Sequence, residues 1–176
     1  MLFQSIQPFL ENNSVKICPL SEKDFEDLFN VASDPKIWEQ HPEKDRWKSE
    51  VFSTFFEEAI RCKGALKIID KCNNEIIGST RYYNFNTFDN SIMIGFTFYK
   101  KSYWGNGTNK SVKKMLLDYI FQFVDNVYFN VGSDNIRSQI AITRLGAKKI
   151  REEGSLDDKH LPIKKFVYAI SDRKST

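Results

Sequence analysis

The spacing of apolar residues changes period several times along the chain, and each change marks an element. Val15–Leu20 (VKICPL) predicts a short strand that stops at a proline. Ser21 then caps a helix, with Asp24 where a capping box would carry Glu or Gln. Phe25, Leu28, Phe29 and Ala32 keep helical spacing until Asp34-Pro35 breaks it. Residues 35–47 (PKIWEQHPEKDRW) predict an aromatic, charged loop or short helical turns. Ser49–Ile60 resumes the helical period through Val51, Phe52, Phe55, Phe56 and Ala59. Ala65–Asp70 and Glu75–Tyr83 predict a hairpin around Lys71-Cys72-Asn73-Asn74, and Ser91–Tyr99 a further strand. The clearest helix follows, with an apolar stripe of Val112, Met115, Leu116, Tyr119, Ile120 and Phe123. Val127–Val131 predicts a strand, and Asn135–Leu145 a helix with Ile136, Ile140, Ala141 and Leu145 inward. Lys148–Arg151 and Phe166–Ile170 are the last strands. The order β-α-α-β-β-β-α-β-α-β-β predicts one α/β or α+β domain over residues 1–176, with its core at about 15–170.

Composition narrows the class. The 176 residues, 41% hydrophobic and including fifteen Phe, are enough to build one real core. No apolar run is long enough to span a membrane, and the first residues lack the features of a secretory signal. Cys18, Cys62 and Cys72 form no CxxC pair, and His41 and His160 have no neighbour at metal-ligand spacing. The expectation is a cytoplasmic protein without metal, monomeric or homodimeric, that does not act on membranes. Residues 100–151 carry seven lysines and three arginines against three aspartates, a balance of +7. The whole chain is +3, which leaves −4 for the remainder. That asymmetry suits an anion site in the second half and a cationic substrate near the first. Nucleic acid is a poor fit, because the basic half lacks interleaved aromatics on a strand face.

The anion site has a candidate address. After the strand Ser91–Tyr99 comes a loop, Trp104-Gly105-Asn106-Gly107-Thr108-Asn109, and then a helix that opens with Lys110, Lys113 and Lys114. A helix N-terminus carries roughly half a positive charge and favours Asp or Glu there by about 0.3–1 kcal/mol each. Lysines in that place make sense when an anion sits on the end, with glycines letting backbone N–H groups approach it. Two familiar phosphate loops fail at specific positions. A Walker A loop would need glycines where Trp104 and Asn109 stand, and a dinucleotide loop would need one at Lys110.

A third loop fits better, and its context fits over most of the chain. IGSTRYY (77–83), IGFTF (94–98), YWGNGTNKSVKKMLLDYIF (103–121) and NIRSQIAITRLGAKKI (135–150) occur in order at plausible spacing. Together they resemble the Rim-type branch of the GNAT acetyltransferases, which includes ribosomal-protein N-terminal acetyltransferases. The resemblance implies a mixed, mostly antiparallel sheet flanked by helices and splayed between the fourth and fifth strands, with acetyl-CoA in the gap.

It also implies roles for particular residues. The donor's arm would pair with the backbone of Ile94, Phe96 and Phe98. Its pyrophosphate would lie on Gly105, Asn106, Gly107, Thr108, Asn109 and Lys110, and Lys110, Lys113 or Lys114 would be free to meet an adenosine phosphate. Many relatives place a Tyr acid where this chain has Ile142. Rim-type members carry a serine instead, here Ser138, the expected partner of the CoA thiolate, with Asn135 orienting CoA. Relatives often carry a strand glutamate where this chain has Met93, so the base is open among His41, Glu39, Tyr82, Tyr83 and water. His41 has the suitable ordinary pKa. Trp38, Arg81, Tyr82 and Tyr83 are expected at the acceptor, since a half-buried guanidinium wants an acceptor group. The implied activity is transfer of acetyl from acetyl-CoA to a primary amine, a peptide N-terminus or a small molecule. The vacancies at Met93 and Ile142 leave a non-catalytic acyl-CoA sensor as the alternative.

Overall fold

The computed structural model of the chain describes residues 6–156 and 160–171. The ends of the expected 1–176 domain, residues 1–5 and 172–176, lie outside the described residues. The strands are β1 (Leu10–Glu11), β2 (Val15–Pro19), β3 (Ala65–Asp70), β4 (Ile76–Asn86), β5 (Ser91–Tyr99), β6 (Asn126–Gly132), β7 (Lys148–Leu156) and β8 (Pro162–Ser171). The helices are α1 (Phe25–Ala32), α2 (Ser49–Arg61), α3 (Thr108–Ile120) and α4 (Ile136–Thr143). All eight strands join one sheet in the order β1-β2-β3-β4-β5-β6-β8-β7. Every neighbouring pair is antiparallel except β5 and β6.

Each sheet face buries a different kind of side chain. Phe52, Phe55, Phe56 and Ala59 fall at i, i+3, i+4 and i+7 of α2 and pack with Leu28 and Val31 of α1 against one face. Rings dominate there: Phe52 lies 5.7 Å from Phe25 and 5.4 Å from Phe29. On the opposite face Val112, Leu116, Leu117 and Ile120 of α3 pack on aliphatic residues such as Ile68, Ile77, Ile92 and Val127. The first helix is anchored by its cap, where the Ser21 N–H and hydroxyl both donate to Asp24 Oδ2 at 2.8 Å. Lys67 of β3 donates to Asp24 Oδ1 at 2.6 Å. Burial opposes charge on Asp24, yet the Lys67 and Ser21 hydrogen bonds prevail and hold its carboxyl below the usual range.

Several expectations need correction. The two-residue β1 was not foreseen, so the strands expected as fourth and fifth are β5 and β6. The last hairpin is far longer than Lys148–Arg151 and Phe166–Ile170. Phe123 falls past the end of α3 and is 42% exposed. In α4 half of the expected inward face is turned out: Ile136 is 53% and Ile140 47% exposed, Ala141 and Leu145 are half-buried, and Ile142 is buried. Among the described residues no helix is long and apolar enough to cross a membrane.

Candidate functional site

Strands β5 and β6 start side by side and then part. They pair in parallel only at Ser91↔Asn126, Ile92↔Val127 and Met93↔Tyr128. From there β6 stays with β8 up to Gly132↔Lys165, and β5 stays with β4. The second half of β5 therefore shows an unpaired backbone edge inside the protein, a ready ladder for an extended ligand. Ile94 and Phe98 bury their side chains in the cores. Their backbones are what remains for the pairing expected at Ile94, Phe96 and Phe98.

A bulge interrupts the other edge of β5, where it pairs with β4. Ser79 pairs with Phe98 and Arg81 with Gly95, so β5 carries one residue more than β4 over this step. Phe96 takes up the excess with φ of +52°. The bulge switches faces: Ile92 and Ile94 look toward α3, whereas Phe96 and Phe98 look toward α2. Gly95 is required beside it, because a Cβ there would lie 2.9 Å from the ring of Tyr83. An isolated glycine inside a strand was the signal that could have found this bulge in the sequence.

The cleft opens toward the start of α3. Gly105 and Gly107 have φ of +75° and +88°, and Gly107 is the N-cap. An added Cβ at either would meet nothing within 4 Å, so backbone conformation rather than crowding demands glycine. Tyr103 Oη donates to Asp70 Oδ2 at 2.6 Å and Trp104 Nε1 to the Tyr99 carbonyl at 3.1 Å, which pins the loop. Within the loop Thr108 N–H goes to Asn106 Oδ1 at 3.0 Å. The N–H groups of Gly107, Asn109 and Lys110 have no acceptor among the described residues. The first turn of α3 holds no acid. Of the three lysines, Lys110 is exposed, Lys114 pairs with Asp118, and Lys113 is buried beneath the sheet. Lys113 is therefore neither on a solvated face nor at the helix end, where the sequence had offered it.

Four buried side-chain polar atoms have no hydrogen-bond partner among the described residues: Arg81 Nε, Tyr99 Oη, Asn109 Oδ1 and Asn130 Oδ1. Tyr99 is on β5, Asn109 in the first turn of α3 and Asn130 on β6, so three of the four belong to the elements that flank the gap between β5 and β6. Unsatisfied buried groups are rare and call for a partner. A ligand that is polar along its length and anionic at one end fits this cleft.

Past the end of β6, Asn135 caps α4 by accepting the Ser138 N–H at 3.1 Å. Ser138 sits half-buried in the first turn, held by that cap. Arg137 was missed by the sequence argument. Its guanidinium stacks on Trp104 at 4.0 Å and donates to the Ile37 carbonyl at 3.0 Å, joining α4, the glycine loop and the α1–α2 loop.

On the α2 side the expected acceptor residues divide. Arg81 lies over Phe96 at 4.2 Å and Phe55 at 5.1 Å, and donates to the Phe55 carbonyl at 3.4 Å. Tyr83 packs on Phe96 at 4.9 Å, and burial, only partly offset by Arg81, pushes its phenol up to about 12. Tyr82 points the other way: its hydroxyl donates to the Leu116 carbonyl at 2.6 Å within the α3 core. Trp38 is buried with its indole N–H on the Ala32 carbonyl at 2.7 Å. Tyr82 and Trp38 are thus buried in the two cores, with their polar groups on backbone carbonyls.

His41 also changes role. Its Nδ1 accepts the Glu43 N–H at 2.9 Å, and its Nε2 lies 3.3 Å from Arg46 Nη1. Burial, and then the Arg46 charge, hold its pKa well below the ordinary value. With Nδ1 accepting, the neutral ring carries its one hydrogen on Nε2, and burial and the Arg46 charge oppose a second proton, so the ring is a poor base at neutral pH. A cavity of about 710 Å³ adjoins it, between the α1–α2 loop, the end of β6 and the start of β8. Glu39, Glu43, Asp45 and Asp134 line it against Lys44 and Lys164.

The chain matches the family described as acetyltransferase (GNAT) domain over residues 15–148. A comparison with curated protein sequences found no significant match. Solved structures are similar in fold. A GCN5-related N-acetyltransferase from Brucella melitensis is 15% identical, covering 98% of this chain and 82% of its own, with a TM-score of 0.84. Ribosomal-protein-S5-alanine acetyltransferase from Vibrio fischeri is 16% identical over 96% and 99% of the two chains, with a TM-score of 0.71. Spermidine N-acetyltransferase from Vibrio cholerae, in complex with CoA and spermine, is 16% identical over 93% and 98%, with a TM-score of 0.69.

Proposed function

We propose that this chain, which belongs to the GNAT acetyltransferase family, moves an acetyl group from acetyl-CoA to a primary amine. The observation that carries this reading is the unpaired inner edge of β5 opening onto the acid-free, glycine-capped start of α3. When bound, acetyl-CoA supplies an activated acyl carbon. The chain supplies the rest. Gly105 to Lys110 hold the pyrophosphate with backbone N–H groups and the helix dipole. The β5 edge aligns the arm, and Asn135 fixes the turn that presents Ser138. The Ser138 hydroxyl offers its proton where the sulfur departs.

The amine enters from the cavity beside His41, where four carboxylates against two lysines favour an ammonium ion. No carboxylate stands at Met93, and burial with the Arg46 charge weakens His41 as a base, so water in that cavity relays the amine's proton out to bulk solvent. Arg81 and Tyr83 shape the wall next to the bulge. The branch belongs to the proposal too: the Tyr103-Trp104-Gly105-Asn106-Gly107 loop and the Asn135 and Ser138 pair resemble the Rim-type enzymes.

The test is calorimetric titration of CoA beside thiol release from acetyl-CoA over a panel of N-terminal peptides and small amines. Binding with turnover on an amine is expected. Binding without turnover on any acceptor would make the chain a sensor, and no binding would remove the donor site altogether. Gly107→Val should cost at least a hundredfold in CoA affinity, since a branched side chain is strained at φ of +88°.

A further inference from the structure

Lys113 has no part in the activity described so far, and its position is unusual. It occupies the sheet-facing side of α3, in line with Leu117 and Ile120, where an apolar residue would be expected. It is 4% exposed. Its Nζ donates to Thr97 Oγ1 at 2.6 Å and to Thr80 Oγ1 at 3.2 Å. These two hydroxyls lie 2.8 Å apart. The ring of Phe129 stands 5.9 Å away on the other side. Thr97 is on β5 and Phe129 on β6, both beyond Met93 and Tyr128, where the pairing of the strands ends. The ammonium group therefore sits against β4 and β5 on the α3 face, next to the point where β5 and β6 have parted.

No carboxylate compensates it. Burial alone pulls the ammonium down to about 7, with no charged neighbour contributing. An ammonium has three hydrogens, and the two threonines take two. The third has no oxygen partner among the described residues. Tyr99 lies two residues further along β5 on the same face, and its buried Oη also lacks a partner. A buried cation is costly where an apolar side chain of like volume would pack, so its presence at an open cleft points to something that enters the cleft.

We propose that Lys113 gives its remaining N–H to an amide carbonyl of the pantetheine arm of CoA, which would make it a binding residue for the arm and not for the phosphates. The inference rests on the acetyl-CoA reading above. A neutral carbonyl suits this cation, because it satisfies a donor and requires no counter-charge. The site is also set back from the phosphate end: Lys113 lies five residues into α3, about 7.5 Å along its axis from Thr108.

The experiment titrates the full chain and Lys113→Met with CoA and with adenosine 3′,5′-bisphosphate, which carries phosphates but no arm. The expected result is about a tenfold loss of CoA affinity in the variant. Affinity for the bisphosphate should stay within about twofold, and the melting temperature without ligand should be equal or higher. Should Lys113→Met not fold, Lys113→Gln replaces it, with a loss of at least about threefold expected. CoA affinity equal to that of the unaltered chain would overturn the proposal, and so would an equal loss for CoA and the bisphosphate. If the unaltered chain binds no CoA, the donor reading itself fails, an outcome distinct from both.

Discussion

Arg81 and Lys113 are buried on opposite faces of one sheet, and among the described residues neither forms an ion pair with a carboxylate. Arg81 lies on the α2 face, where the rings of Phe96 and Phe55 stand 4.2 and 5.1 Å from its guanidinium. Lys113 lies on the α3 face between two threonine hydroxyls, among mostly aliphatic side chains and with the Phe129 ring 5.9 Å away. Burial lowers the pKa of both. Arg81 is the far stronger base and is weakly hydrated, so it stays charged when burial lowers it, and the ring faces attract it. Lys113 is a compact, strongly hydrated ion and comes down to about 7. The chemistry of each face thus decides whether a cation can stay there as structure. On the aromatic face stacked rings surround the cation, and on the α3 face it has two hydroxyls and keeps one N–H without an oxygen partner among the described residues.

The aromatic half of the comparison is broken most severely by Phe55→Ala. It removes a buried ring beneath both Arg81 and Arg46, whose guanidinium lies 4.6 Å from the same ring. A loss of about 3–5 kcal/mol in urea unfolding is expected. A loss under about 1 kcal/mol would mean the rings do not hold the cations.

The aliphatic half should respond with the opposite sign. Lys113→Met should raise stability at pH 6 to 7 by about 1–3 kcal/mol. The folded state holds this lysine near pKa 7 and the unfolded state near 10.5. Between those values the unfolded chain binds more protons, so stability rises with pH and the advantage of the variant shrinks toward pH 10. A pH-independent gap would exclude Lys113 as its source.

Arg81→Lys sharpens the contrast more gently, by placing the aliphatic face's cation on the aromatic face. An ammonium stacks poorly, and a cost of about 1–2 kcal/mol is expected from thermal melts. The smallest effect concerns His41. Its folded ring stays neutral while the unfolded ring takes a proton near 6.5, so stability falls as pH drops below that value. The loss should reach about 1 kcal/mol near pH 5.5. His41→Gln, compared with the unaltered chain by urea midpoints at pH 7.5 and 5.5, should abolish that part of the acid sensitivity.

Much of this molecule was legible in advance. The strand Ser91–Tyr99 and the hairpin strand Ala65–Asp70 have the predicted bounds, because alternation and turn residues are local signals. The glycines at 105 and 107 announced positive φ, and the lysine-led helix announced an end that lacks acids. The inward face of α4 was not legible. Ile136, Ile140, Ala141 and Ile142 surround most of so short a helix, and a period cannot pick one face from that. Trp38 and Tyr82 carry the same side chains whether they line a site or fill a core. Only the carbonyls of Ala32 and Leu116 decided for the core.

The sequence by itself determined the order of elements, the glycine-capped helix and the family resemblance, since these are written in residues near one another along the chain. Which of Lys110, Lys113 and Lys114 is solvated, buried or paired was decided by tertiary structure alone. The same holds for the parting of β5 and β6 and for the Glu43 N–H and Arg46 charge set against His41. Those facts depend on groups far apart in sequence, and burial, which shifts charges, exists only once the two faces of the sheet have been covered.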